Sequence, residues 1–276
     1  MTGDVRKCPV CSTSSITPMS EELLICAQCG IAFNTAYALK TYNDTYFLDE
    51  YRNQYGKTYI DDRHNICNQS KKRLLRILKL ISGRDVSSTD LSLLDIGSAA
   101  GFFLQCARDM GIRDVSGIEI SEYAARYCEK QFNIPVTRSS FDDVTLTSPY
   151  SIITAWYFIE HCGDPLSVMR KIYNALDTGG IFAFSVPSIF GPLYTFNRVA
   201  WIETHPSDHF IDFSPRGVKK ILTGIGFTKI SIRPAGIHPE RVINPRSFFY
   251  RPFVTLYNIY SQATSFSDTI EVYAIK

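Results

Sequence analysis

Seven apolar runs of strand length, separated by stretches with helical spacing, constrain this chain more than any other feature. The runs are LSLLDIG, VSGIEIS, IPVT, YSIITAW, IFAFSVP, TKISIRP and TIEVYAI. Between them the apolar period lengthens, as in Phe103, Cys106, Ala107 and Met110; Tyr123, Tyr127 and Cys128; Val168, Met169, Ile172 and Leu176; and Val218, Ile221, Leu222 and Ile225. Strands joined through helices need crossover connections, which run parallel strands side by side and cover both faces of the sheet. The expected fold is α/β, a doubly wound and mostly parallel sheet, with ligands at the carboxyl ends of its strands. Ahead of the first run, KKRLLRILKLIS places Leu74, Leu75, Leu78 and Ile81 on one stripe of a helix ending near Gly83.

A chain of 276 residues, 45% of them hydrophobic, has material for one full core and a small appendage. The appendage is announced by CPVC (Cys8, Cys11) and CAQC (Cys26, Cys29). Two such knuckles can close four thiolates around zinc, with Pro9 stiffening the first and Gly30 permitting the turn after the second. The stretch ELLICAQCGIAF then reads as hairpin strands of a zinc ribbon over about residues 5 to 35. With all four positions cysteine, the site has no place for a catalytic water, so the zinc is expected to be structural. A redox pair is the alternative, without the surrounding pattern that thioredoxin-like motifs show. The other thiols (Cys67, Cys106, Cys128, Cys162) are scattered, which suits reduced cysteines better than a disulfide framework. No apolar run approaches the roughly 20 residues that span a bilayer, and no leader-like segment opens the chain. A soluble, cytoplasmic protein is expected, its oligomeric state left open. The net charge of +2 advertises no nucleic-acid partner.

The first strand runs directly into DIGSAAGFFLQCA, where Gly97 and Gly101 bracket three small residues at the turn into a helix. A ligand can approach that backbone closely. The spacing is neither the Gly-x-Gly-x-x-Gly of dinucleotide sites nor a P-loop, and Asp95 directly before it would repel a pyrophosphate. At the end of the next strand, Glu119 is placed to accept both hydroxyls of a ribose. A nucleoside without phosphate and with a tolerated positive charge describes S-adenosylmethionine.

LLDIGSAAGFF, GIEIS, SSFDDV, IEHCGDP and PSDHFIDFSPRGVKKILTGIGF together resemble the class I S-adenosylmethionine-dependent methyltransferases over about residues 55 to 276. YNDTYFLDEYRNQYGKTY resembles the junction in zinc-ribbon methyltransferases of sugars and other small metabolites. The resemblance implies a Rossmann-like sheet with an antiparallel last strand, and a division into ribbon (1–38), helical lid or connector (39–88) and methyltransferase domain (89–276). It implies that Asp95, Gly97, Ser98 and Gly101 line the methionine end of the cofactor and that Glu119 takes the ribose. Ile120 would pack on the adenine, Ser140 and Phe141 would meet its edge, and Trp156 would be a further cofactor-binding residue. Ser140 stands where the family often has an acid, and SSFDDV reads equally well as a capped turn.

Methyl transfer from a sulfonium needs alignment and, for a hydroxyl or carbon acid, removal of a proton. Glu160 and His161 after the fourth strand, and His205 and His209 after the fifth, are the candidate acid–base groups; each histidine could equally pin a loop. The aromatic segment with Tyr42, Tyr46, Phe47, Tyr51, Tyr55 and Tyr59 is a lid or a glue between ribbon and domain. PRSFFYRPFVTLYNIY reads as an amphipathic helix broken by Pro252 that packs on the sheet, covers substrate or meets a membrane surface. The expected substrate is a small molecule, a nucleotide-linked or polysaccharide sugar first. The rivals are an RNA methyltransferase docking through the ribbon, for which Arg6 and Lys7 stand against Asp4, Glu21 and Glu22, and a non-catalytic scaffold.

Overall fold

The computed structural model describes residues 7–38, 45–82, 87–147 and 149–276, without the side chains of Gln54 and Tyr55. Asp4, Arg6, Tyr42 and Gly83 lie outside the described residues. The chain runs through β1 (Ile16–Pro18), β2 (Leu23–Cys26), β3 (Ile31–Asn34), α1 (Tyr51–Tyr55) and α2 (Arg63–Ile81). It continues through β4 (Ser92–Ile96), α3 (Phe102–Asp109), β5 (Asp114–Glu119), α4 (Glu122–Phe132), β6 (Val136–Arg138) and β7 (Tyr150–Trp156). Then come α5 (Pro165–Ala175), β8 (Leu176–Pro187), α6 (Pro192–Phe196), α7 (Arg198–Glu203), β9 (Ile211–Phe213) and α8 (Pro215–Ile225). β10 (Thr228–Pro234), α9 (Tyr250–Thr264) and β11 (Thr269–Ile275) close the chain.

Among the described residues seven strands form one sheet in the order β10-β11-β8-β7-β4-β5-β6. β4 pairs in parallel with β5 and β7, and β5 with β6, while β11 runs antiparallel to β10. Each of the seven runs overlaps a strand, and the antiparallel end is where the resemblance puts it. A second sheet, β1-β2-β3-β9, holds the ribbon.

The chain divides into two compact units. The first comprises residues 1–39, 157–173 and 184–275; the second comprises 40–156, 174–183 and Lys276. In the first unit, β9 joins the ribbon because its residues pair with β3 (Ala32 opposite Asp212). In the second, α2 and α3 pack on each other, burying Leu74, Ile77 and Ile81 with Phe103, Cys106 and Ala107.

Three sequence readings need correction. Helix α2 begins at Arg63, well before KKRLL, and its buried set is Ser70, Arg73, Leu74, Ile77 and Ile81. Leu75 is 60% exposed, because a step of one residue turns the helix about 100° and carries it off the face that Leu74 occupies. Pro252 does not break its helix: α9 starts at Tyr250, and proline in the first turn loses no intrahelical hydrogen bond. Much of α9 faces outward, with Leu256, Ile259 and Tyr260 exposed. No helix among the described residues is long and apolar enough to cross a membrane.

Candidate functional site

In the second unit the turn after β4 is folded by its own backbone. Gly97 and Gly101 take positive φ (70° and 78°), and Ala99 does so too (48°). The amides of Gly97 and Ser98 donate to the Ile118 carbonyl at 2.8 and 3.1 Å, so the turn closes over the end of β5. A Cβ at Gly101 would overlap the Cys128 sulfur, and one at Gly117 would overlap Ser98, so both glycines are required by space. Ala99 donates its amide to Glu119 Oε2 at 2.8 Å, and Ser121 donates to Oε1 at 2.8 Å. The Glu119 carboxylate is therefore pinned beside the turn, with lone pairs left for two further donors. Burial raises its pKa, against the backbone amides of Ser121, Ala99 and Ile120 that favour the charge.

Asp95, on β4, sits opposite Thr154 of β7, whose hydroxyl donates to Oδ1 at 2.6 Å. Burial pushes its carboxyl up to about 8, with Thr154 and Arg73 working against the shift and Glu119 adding to it. Trp156 ends β7 with the Arg73 guanidinium 4.1 Å from its ring centre and Phe103 beside it at 5.3 Å. Ser98 Oγ and Trp156 Nε1 are buried without a hydrogen-bond partner. Two orphaned polar atoms at the carboxyl ends of β4 and β7 are what a polar ligand would satisfy. Ile120 is half exposed just beyond β5, and Phe141 is buried. Ser140 caps the turn Phe141–Asp143, accepting from the Asp142 amide at 3.4 Å.

In the first unit, four ionisable groups singled out in the sequence come together, and two more join them. One nitrogen or oxygen from each of Glu160, His161 and His209 lies within 4.8 Å of the others, and His205, His209 and Asp212 do the same. His161 Nδ1 is 2.9 Å from the Asp208 carbonyl; since a carbonyl only accepts, Nδ1 carries the proton. His161 and His209 meet edge to face at 4.7 Å. His205 Nε2 pairs with Asp212 Oδ2 at 2.7 Å, and His209 Nδ1 lies 3.9 Å from Oδ1. Burial pushes Glu160 up to about 8, with His209 pulling it back; its Oε2 has no partner. Burial alone would lower His209, but Asp212, Glu160 and Asp208 together raise it. Asp212 is held low by His205 and His209 in spite of burial.

A family model described as a methyltransferase domain matches residues 62–232. The chain belongs to the methyltransferase-domain family. This methyltransferase is 22% identical over 188 residues to the ubiquinone biosynthesis O-methyltransferase of Nitrosospira multiformis, covering 65% of its own length and 72% of that protein's. Its fold matches a methyltransferase from Archaeoglobus fulgidus that depends on S-adenosylmethionine (TM-score 0.55, 18% identity, 84% of this chain and 100% of that chain). It also matches the plantazolicin methyltransferase BpumL solved with a desmethyl analogue and S-adenosylhomocysteine (TM-score 0.53, 13% identity, 84% and 93%). Family and fold together make it a class I S-adenosylmethionine-dependent methyltransferase.

The methyltransferase carries its cysteine cluster in the first unit. Cys8 and Cys29 sulfurs lie 4.0 Å apart and Cys11 and Cys26 sulfurs 3.7 Å, with all four within 4.8 Å of one another. A tetrahedral zinc with Zn–S near 2.3 Å sets sulfurs about 3.8 Å apart, so the knuckles fit that ion. The amides of Val10 and Cys29 point at Cys8 and Cys26 sulfurs (3.4 and 3.3 Å), as donors that support thiolates. Burial pushes the Cys8 thiol up to about 11. Such neighbours cannot all ionise without a cation among them.

Thr154, Arg73, Asp208 and Asp212 were not singled out in the sequence, and Tyr59 stood there only as one ring of the aromatic run. Tyr59 stacks on Phe102 at 5.6 Å, and Phe47 and Tyr51 pack on Tyr59 in turn. Burial, with Tyr46, Asp95, Tyr51 and Glu119 around it, keeps its phenol protonated.

Proposed function

We propose that the enzyme transfers the methyl group of S-adenosylmethionine to an oxygen of a small molecule, a nucleotide-linked or polymer-bound sugar being the first acceptor class to test. The observation that carries the cofactor half is the Glu119 carboxylate, fixed by the amides of Ala99 and Ser121 beside the left-handed turn. Its free lone pairs take the ribose hydroxyls; Asp95 faces the cationic end, where a positive charge would draw its proton off. Ser98 and Trp156 gain partners on binding. Ile120 and Phe141 flank the adenine.

The acceptor half is assigned to Glu160, His161, His205 and His209. O-methylation is the activity in the name of the Nitrosospira relative, and it needs a group that takes a hydroxyl proton as the new bond forms. His209, its basicity raised by the acids around it, and Glu160, raised to about 8 by burial, are the groups whose surroundings favour taking a hydroxyl proton. Zinc held by Cys8, Cys11, Cys26 and Cys29 is structural: it neutralises the thiolates and fixes the ribbon. Four zinc-held thiolates and four scattered cysteines suit a reducing, cytoplasmic setting.

Calorimetry with S-adenosylhomocysteine tests the cofactor half. Micromolar binding that Glu119→Ala abolishes supports the reading, and absence of binding to the parent chain overturns it. Screening hydroxylated acceptors with labelled S-adenosylmethionine then tests the acceptor class.

A further inference from the structure

The ribbon sheet does not end with the ribbon. Its fourth strand is β9, drawn from the segment after β8 and hydrogen-bonded along β3: Ile31 opposite Phe213, Ala32 opposite Asp212, Phe33 opposite Ile211. The pairing extends at both ends, with Asn34 N donating to Phe210 O at 2.9 Å and Ser214 N to Gly30 O at 3.0 Å. The Asp212 backbone is thereby set by the strand that leaves the second cysteine knuckle. Its side chain is 3% exposed and grips His205.

A second route runs through side chains. Leu23 and Ala32 of the ribbon share a core with Ile189, Tyr194 and Trp201, and the Trp201 ring lies 5.0 Å from that of His205. A cavity of about 310 Å³ opens along the same seam, lined by Ser20, Glu21, Glu22 and Asn34 of the ribbon together with Ile202 and His205.

We infer that the cysteine ribbon is part of the acceptor apparatus: β3 fixes Asp212, and Asp212 is the positioning residue that holds His205 and governs His209. The groups facing His209 are Glu160, His161, His205, Asp208 and Asp212. Of these, Asp212 contacts two histidines at once and hangs on the ribbon's sheet. The word acceptor rests on the methyltransferase reading above; the mechanical link does not.

The test is a histidine titration by long-range nitrogen–proton NMR on the full zinc-loaded chain, with S-adenosylhomocysteine calorimetry on the same samples. Asp212→Asn removes the charge and keeps the shape. It is expected to lower the His209 midpoint by about one pH unit, as loss of an adjacent opposite charge does. Asp212→Glu restores most of that. Gly217→Ala acts from the ribbon side, because its Cβ would stand 2.7 Å from the Cys29 carbonyl oxygen and 2.9 Å from that of Gly30. It touches neither a cysteine sulfur nor a histidine, and it should shift the same His205 and His209 signals by a smaller amount. Cofactor-product affinity should stay within about twofold throughout. Unchanged histidine signals in Gly217→Ala, or an unchanged His209 midpoint in Asp212→Asn, overturn the inference. A parent chain that fails to bind S-adenosylhomocysteine, with the histidine shifts as expected, sinks the methyltransferase reading and leaves the link standing.

Discussion

At the glycine turn, the groups that fold the backbone and hold the Glu119 carboxylate lie between Asp95 and Ser121, from β4 through the turn to the residues just after β5. In the histidine cluster, Glu160 and His161 come from the segment after β7, His205 and His209 from the segment after α7, and Asp212 from a strand of the ribbon sheet. The first arrangement is written in backbone restrictions: positive φ at Gly97 and Gly101, close approach at Gly117, and amides aimed at a carboxylate. The second is written in side-chain pairs between remote segments. A site made of local backbone is rigid before any ligand arrives, whereas a site assembled from remote segments depends on whatever holds those segments in place.

The sharpest way to break that contrast is at Gly101. An alanine there is strained at φ 78° and its methyl overlaps the Cys128 sulfur, so Gly101→Ala should destabilise by about 2–4 kcal/mol and abolish cofactor binding. Thermal melting and calorimetry read both, and Cys128→Ala in the same chain should return part of the stability. Next in size is Glu119→Gln. Losing a charge-assisted acceptor for two hydroxyls should weaken S-adenosylhomocysteine by about 30- to 100-fold with little change in melting temperature, since the amide oxygen still accepts from one backbone amide.

Opening the ribbon's cysteine cluster sharpens the contrast from the other side. Cys26→Ser should abolish stoichiometric zinc in metal analysis and disturb the histidine signals, while cofactor-product binding in the second unit changes by less than about threefold. A parallel collapse of both would show that the two sites are not independently built.

The last prediction is a pH dependence. Asp95 and Glu160 each sit near 8 when buried, above their unfolded values, so the folded chain binds more protons than the unfolded one between about pH 4 and 8. Stability should therefore fall as pH rises through that window. Glu160→Gln should flatten the fall, measured as melting temperature against pH. Binding of a cationic cofactor runs the opposite way at Asp95: the charged carboxylate is the better partner, so affinity should rise with pH toward 8 and beyond.

What could be read from the sequence follows the same division. The seven strand runs, the glycine turn, Glu119 and the cysteine knuckles are contiguous signals, and the structure has them in the elements expected. The start of α2 escaped because Arg63–Ser70 is polar on most of its surface and lacks an apolar stripe. β9 escaped because three residues carry no period; it is a strand only by virtue of β3 beside it. Asp212 escaped with it, since its importance comes from pairing across the ribbon sheet. Tyr59 was read as one ring of an aromatic run, yet its stacking on Phe102 sets it apart from its neighbours.

One carboxylate, Glu119, decides the cofactor site. A crystal structure with S-adenosylhomocysteine bound should show Glu119 accepting from both ribose hydroxyls at about 2.6–2.8 Å while keeping the amides of Ala99 and Ser121. An empty turn, or a nucleoside whose ribose is held by any other group, would contradict it.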